Sequence, residues 1–253
     1  MSASLLQVED LSVHYPIAGA GLFGRGKRVL KAVRGVSFEL RDGETLGVVG
    51  ETGCGKSSLG RAILQLVRPT KGRVIWQGNN LCELDDRALV PVRKDLQVIF
   101  QDPLSSLNPR MTVGEIIAEP LRIHAPELSA EDRERRAAAM MERVGLRAAL
   151  ARRYPNEFSG GQCQRVSIAR AMILEPRVIV CDEPVSALDV SIQAQICNLL
   201  RDLQRDTGIA MIFISHDLSI VRYMATRVMV MYLGEAVEIA DRDEFFQRPR
   251  HPY

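Results

Sequence analysis

The chain has 253 residues, 46% hydrophobic and 25% charged, an ordinary globular composition that excludes fibrous and disordered classes. That length can bury a substantial core, as one large domain or two lobes. Lysine and arginine number 33 against 31 aspartate and glutamate, so the net charge of +2 offers neither a nucleic-acid footprint nor an acidic tail.

Leu5 to Tyr15 and Val33 to Leu40 alternate apolar and polar residues, the pattern of strands with one buried face. Gly19 to Lys27 carries four glycines and reads as a loop between them. Thr45 to Val49 is a short apolar run, and Ser57 to Val67 has helical character. Between them stands Gly50-Glu51-Thr52-Gly53-Cys54-Gly55-Lys56-Ser57, which fits G-x-x-x-x-G-K-[ST], the phosphate-binding loop of nucleoside triphosphatases. Strand, glycine loop and helix together bring backbone N–H groups and a helix N-terminus around a polyphosphate. Glycine lets the backbone approach the oxygens with no Cβ in the way. Lys56 supplies a point charge to the β and γ phosphates, and the Ser57 hydroxyl suits Mg2+.

Arg73 to Gln77 is a further short strand with a turn at Asn79-Asn80. From Thr112 to about Leu174 the pattern is helical, interrupted at Pro120, Pro126 and Pro155, and predicts a helical lobe inserted in an α/β body. Within it Ser129 is an N-cap followed by acidic first-turn residues, and the helix Ala130 to Val144 ends near Gly145. Val178 to Cys181, Ala210 to Ser215 and Val228 to Tyr232 are short apolar runs suited to parallel strands covered on both faces. Helical stretches at Ser191 to Asp206 and Leu218 to Met224 separate them.

Two further segments carry chemistry. Arg177 to Cys181 ends in Asp182 and Glu183. A carboxylate closing a buried strand beside a phosphate loop can hold Mg2+, and the next one is placed to polarise an attacking water. Ser159-Gly160-Gly161-Gln162 opens a helix with a capping serine and bare backbone N–H groups, a second anion cradle. One triphosphate has little need of two cradles from one chain, unless the second comes from another subunit.

In these motifs and their order the chain resembles the nucleotide-binding domains of ABC transporters, over essentially its whole length. Gly50 to Ser57 corresponds to the Walker A loop, Gln101 to the Q-loop and Phe158-Ser159-Gly160-Gly161-Gln162 to the signature, with Phe158 where many members have leucine. Arg177 to Asp182 corresponds to Walker B, Glu183 to the catalytic glutamate, Ser186-Ala187-Leu188-Asp189 to the D-loop and His216 to the switch histidine. The resemblance implies an α/β P-loop NTPase core of ABC type, with an antiparallel β subdomain and an inserted α-helical subdomain. It implies one ATPase domain over residues 1–253, with 1–110 and 175–253 as α/β core and β subdomain and 111–174 as the helical lobe. It assigns catalysis to Glu183, His216 and Lys56, and ATP contacts to Tyr15, Gly50, Glu51, Thr52, Gly53, Cys54, Gly55, Lys56, Ser57 and Ser58. Ser159, Gly160, Gly161 and Gln162 would face the ATP of a partner subunit, Asp189 would lie in the D-loop, and Ser57, Gln101 and Asp182 would hold Mg2+.

Gln101-Asp102-Pro103-Leu104-Ser105-Ser106-Leu107-Asn108-Pro109, the run Asp182 to Gln195 and His251-Pro252-Tyr253 are similar to the oligopeptide, dipeptide and nickel importer ATPases, most closely the second of their two ATPase subunits. That branch implies a head-to-tail heterodimer with another ATPase subunit, two membrane permeases and, indirectly, a solute-binding protein, with no nucleic acid. In that branch His-Pro-Tyr leads into a C-terminal extension, whereas the sequence here stops at Tyr253, as a truncated form or one domain of a longer protein would. The same machine importing nickel, glutathione or another small solute is the alternative; a non-transport ABC ATPase or a non-hydrolysing regulatory subunit is less consistent with the motifs.

Cys54, Cys82, Cys163, Cys181 and Cys197 include no C-x-x-C pair, so neither zinc nor a disulfide framework is indicated. Cys54 and Cys163 fall at positions inside the motifs where the family varies, and are read as tolerated rather than catalytic. The N-terminus has no signal-peptide pattern, and apolar runs such as Val228 to Leu233 fall well below the roughly 20 residues a membrane span needs. The expected location is the cytoplasmic face of the membrane, held peripherally through the permeases.

Overall fold

The computed structural model describes residues 4–17 and 28–253. The glycine-rich stretch expected to be a loop, 19–27, lies outside them. In chain order the strands are β1 (Ser4–Ile17), β2 (Arg28–Arg41), β3 (Thr45–Val49), β4 (Lys71–Trp76), β5 (Asn79–Asn80), β6 (Leu96–Ile99), β7 (Val178–Asp182), β8 (Ala210–Ile214), β9 (Arg227–Tyr232) and β10 (Glu235–Asp241). The α-helices are α1 (Lys56–Ile63), α2 (Asp86–Asp95), α3 (Pro103–Ser106), α4 (Val113–His124), α5 (Ala130–Arg143), α6 (Gly160–Met172), α7 (Val190–Thr207), α8 (Leu218–Met224) and α9 (Arg242–Gln247). Two compact units result: Met1–Leu89 with Ile214–Tyr253, and Val90–Phe213.

The first unit contains an antiparallel sheet in the order β2-β1-β4-β5. Leu6, Val8, Leu11 and Val13 of β1 are all buried, although 8 and 11 break strict alternation. A register shift between Val8 and Leu11 accounts for this: Asp10 takes a φ of 47° and the bulge returns Leu11 and Val13 to the covered face. Opposite, β2 buries Val33, Val36, Phe38 and Leu40. The second α/β portion of this unit pairs β3 in parallel with β9, Leu46 opposite Arg227 and Val48 opposite Met229, and β9 antiparallel with β10. β10 and α9 had no counterpart in the sequence reading. The hairpin that makes β10 turns on Leu233 and Gly234, both at positive φ, as a type I′ turn requires.

Two local expectations in this unit are corrected. The turn placed at Asn79-Asn80 sits at Gln77-Gly78, where φ is 49° and 84°; Asn79 and Asn80 pair back with Trp76 and Ile75 as β5. Glycine at the second position carries the positive φ with no Cβ penalty, so the turn falls two residues earlier. The helix expected over Ser57 to Val67 stops at Ile63: Gln65 adopts φ 54° and the Leu66 and Val67 N–H groups donate back to the Arg61 carbonyl.

In the second unit β6 and β7 are parallel, with Leu96 opposite Val178 and Ile99 opposite Cys181, and β8 flanks β7. Every residue of β7 is buried, as its unbroken apolar run requires. Helices α4, α5 and α6 pack on one another. Pro120 does not interrupt the helix there, contrary to expectation, but lies inside α4. An internal proline costs about 3 kcal/mol, yet α4 buries Val113, Ile116, Ile117 and Leu121 and starts from a complete capping box. Burying four aliphatic side chains at about 1.5–3 kcal/mol each outweighs that cost. α5 runs from its Ser129 cap to Arg143, followed by Gly145 at φ 76°. α7 buries Ile196, Cys197, Leu200 and Leu203 along one face and stops at Gly208 in the left-handed conformation.

Candidate functional site

The phosphate-loop segment in the first unit crosses from Val49, the buried end of β3, to Lys56, the start of α1. Its path needs glycine at both ends. Gly50 has φ 150° and Gly55 φ 109°; a Cβ on Gly55 would lie 2.0 Å from the Ala32 carbonyl oxygen, and one on Gly50 2.2 Å from that of Met231. The loop is thus clamped between β2 and β9. The turn after β9 adds a hydrogen bond, Gly234 N–H to the Cys54 carbonyl at 3.0 Å.

Lys56 is 4% exposed, and its Nζ donates to the carbonyls of Gly50 at 2.7 Å and Glu51 at 2.9 Å. Its charge is thereby held over the loop by the loop's own backbone. Glu51, Thr52 and Gly53 are exposed, while Ser57 and Ser58 are partly covered. Tyr15, near the end of β1, donates from Oη to Ser58 Oγ at 3.4 Å, so the ring expected to contact ATP stands beside the first turn of α1. His216, two residues past Ile214, is in this same unit. The Ser215 N–H donates to the Val48 carbonyl at 3.1 Å, and the exposed His216 shares the lining of a 690 Å³ cavity with Gly50, Glu51 and Thr52. Asp217 then caps α8 through the N–H groups of Ser219 and Ile220.

The second unit gathers the acidic residues. Asp182, 4% exposed, closes β7, and Glu183 follows with φ 48°. A left-handed backbone at a residue other than glycine is strained by about 1–2 kcal/mol. The Gln101 side-chain amide, just past β6, donates to Glu183 Oε2 at 3.2 Å. The loop to α7 is latched from behind: Ser186 Oγ donates to the Glu183 carbonyl, and Gln193 Nε2 donates to the carbonyls of Val185 at 3.1 Å and Leu188 at 3.0 Å. Asp189 is exposed at the N-cap of α7 and makes no side-chain capping bond.

Ser159 and Gln162 form a capping box at the start of α6. The Ser159 N–H donates to Gln162 Oε1 at 2.9 Å, and the Gln162 N–H donates to Ser159 Oγ at 3.4 Å. The two side chains therefore serve each other, and the exposed Gly160 leaves the helix entrance open to an anion. A Cβ on Gly160 would come 3.5 Å from Leu188, so the signature and the D-loop segment are neighbours.

Among the described residues no cluster of three or more His, Cys, Asp or Glu side chains could hold a metal. The expected Mg2+ donors Ser57, Gln101 and Asp182 are oxygen donors with one carboxylate, the chemistry of an ion that takes its other ligands from phosphate and water. Cys163 and Cys181 are buried, and burial pushes both thiols up, which holds them protonated and unreactive. Sequence reasoning missed Gln193 as a latch; its place four residues past Asp189, on the first turns of α7, was the only available signal.

A family model described as ABC transporter matches residues 33–186. The chain is 58% identical over 250 residues to the oligopeptide transport ATP-binding protein OppF of Salmonella typhimurium, covering 98% of this chain and 75% of that protein. It is 53% identical over 249 residues to the glutathione import ATP-binding protein GsiA of Pectobacterium atrosepticum, covering 98% of this chain and 40% of that protein. Its fold is similar to the dimeric post-hydrolysis structure of the ATP-binding cassette MJ0796 bound to ADP and Pi, with TM-score 0.83 and 29% identity over 94% of this chain and 98% of that one.

Proposed function

Since the chain belongs to the ABC transporter family of ATP-binding subunits, we propose that it hydrolyses ATP to drive an importer of oligopeptides or dipeptides. The observation that carries this reading is the presence of two anion cradles on one chain, the clamped loop at Gly50–Ser57 and the open start of α6. Two such cradles are used economically when each chain's signature meets the nucleotide held by another, in a head-to-tail dimer. The peptide cargo is supported by the likeness to OppF.

In this reading Tyr15 stacks on adenine, while the backbone from Gly50 to Ser58 and the Lys56 ammonium receive the phosphates. Ser57, Gln101 and Asp182 hold Mg2+, which neutralises phosphate charge when bound. Glu183 orients the attacking water and accepts its proton, His216 contacts the γ-phosphate, and Asp189 lies at the subunit interface. Ser159, Gly160, Gly161 and Gln162 serve the partner's nucleotide. The chain works as one ATPase domain, with 111–174 as its helical lobe and 1–110 with 175–253 as its α/β core and β subdomain. Its partners are a second, different ATPase subunit and two permeases, with a solute-binding protein acting through them. No helix among the described residues is long and apolar enough to cross a membrane. In this reading the chain attaches to the cytoplasmic face through the permeases.

Glutathione, itself a tripeptide, is a second cargo reading, favoured by the likeness to GsiA. The test is uptake of labelled tripeptide, glutathione and nickel in the native host, comparing wild type with a chromosomal Glu183→Gln copy. Loss of tripeptide uptake alone supports the peptide reading; loss of glutathione or nickel uptake alone replaces the cargo and keeps the machine.

A further inference from the structure

The phosphate loop has a partner that the ATPase motifs do not include. Tyr253 Oη accepts the N–H of Glu51 at 2.9 Å, from 202 positions away. Its ring lies on that of Tyr232, centroids 4.7 Å apart and planes 42° apart, at the end of β9. Residues 248–253 are fastened by Glu238 of β10, itself 9% exposed, whose carboxylate accepts the N–H groups of Arg250 at 3.0 Å and His251 at 2.9 Å. The Tyr253 N–H donates to His251 Nδ1 at 3.2 Å, turning the chain back toward the loop.

One peptide unit links these contacts to Lys56. The Gly50–Glu51 peptide donates its N–H to Tyr253 and accepts from Lys56 Nζ through the Gly50 carbonyl at 2.7 Å. The plane of that peptide therefore sets where the ammonium sits, and the tyrosine hydroxyl sets the plane. A glycine-rich loop has more backbone freedom to lose than any other, and ordering it on binding lowers affinity.

Building on the ATPase reading above, we propose that Tyr253 is a positioning residue for ATP binding, acting through the Gly50–Glu51 peptide on Lys56, with Glu238 as its anchor. The test is Tyr253→Phe in the full chain, assembled with its partner ATPase and permeases. Phenylalanine keeps the ring on Tyr232 and removes only the acceptor. Loss of one such hydrogen bond raises KM and Kd for ATP by about threefold to tenfold. The value of kcat moves far less, and the melting temperature without nucleotide stays near wild type. Glu238→Gln shifts KM in the same direction.

An unchanged KM in Tyr253→Phe, or a fall in kcat that tracks a fall in melting temperature, overturns the proposal. A Glu183→Gln assembly measured alongside separates the two readings. If wild type and Glu183→Gln alike neither bind nor hydrolyse ATP, the ATPase reading fails and this inference with it; normal turnover in Glu183→Gln removes only Glu183 from the mechanism. If Glu183→Gln is inert while Tyr253→Phe binds ATP as wild type does, only the positioning role fails.

Discussion

Gln101 and Glu183 are 82 positions apart in sequence, and the amide of one donates to the carboxylate of the other at 3.2 Å. The pair joins the ends of the parallel strands β6 and β7. The contact fixes the carboxylate of a residue whose backbone is already confined to a left-handed conformation. Orientation and strain thus meet at the side chain expected to position water.

Glu183→Gln is isosteric, so ATP binding is expected to persist while hydrolysis falls by about 10²–10⁴-fold, the range for losing a general base. Phosphate release under saturating ATP, alongside equilibrium binding, measures both. Normal turnover would remove Glu183 from the mechanism.

Lys56→Ala acts earlier. Removing a charge-assisted contact worth about 1.5–3 kcal/mol should weaken ATP binding by about tenfold to a hundredfold. Titration with a fluorescent ATP analogue checks this; unchanged affinity would place the phosphates elsewhere.

Gly55→Ala tests the clamp. The new Cβ would approach the Ala32 carbonyl oxygen to 2.0 Å at a φ of 109°, and the loop must shift. We expect a loss of about 2 kcal/mol or more, read as a lower melting temperature, together with loss of ATP binding. A variant with wild-type binding and melting would show the loop path to be wrong.

Gln193→Ala deletes two bonds to the Val185 and Leu188 carbonyls from a partly covered position. About 1–2 kcal/mol of stability is expected to go, with ATPase activity falling more than nucleotide affinity, because the loop held lies after Glu183 and not at Lys56. An affinity loss equal to the activity loss would contradict that division.

Thr112→Ala removes the hydroxyl half of the α4 capping box, at about 1 kcal/mol, and keeps the backbone N–H that donates to Glu115. The backbone N–H of Thr112 first, and its hydroxyl second, hold the Glu115 carboxyl below the usual carboxylate range. A depressed carboxylate stabilises above its unfolded pKa and loses that contribution as pH falls through the lower folded value. The share of the penalty that comes from the hydroxyl's bond to the carboxylate should therefore be present near neutrality and fade in acid, well below about pH 4, while the share from the backbone N–H is unchanged by the substitution. Denaturation curves at several pH values test the sign.

Short-range regularities were legible because they are local physics. The spacing of Gly50, Gly55 and Lys56 implies a phosphate loop wherever a strand precedes and a helix follows. Ser159 with Gln162, and Ser129 before two acidic residues, mark helix starts because capping acts within one turn. Period-two burial in β1 was legible up to Val8, where the bulge at Asp10 changed its phase.

The amino-acid sequence alone thus determined the strand–loop–helix at Gly50–Ser57, the carboxylates closing β7 and the capped start of α6, since each depends on neighbours a few residues away. Only the tertiary structure decided that Pro120 stays within α4, that Gln101 reaches Glu183 and that the Tyr253 hydroxyl meets the Glu51 N–H. Those outcomes depend on burial and on contacts between residues far apart in the chain, which no local period or spacing encodes.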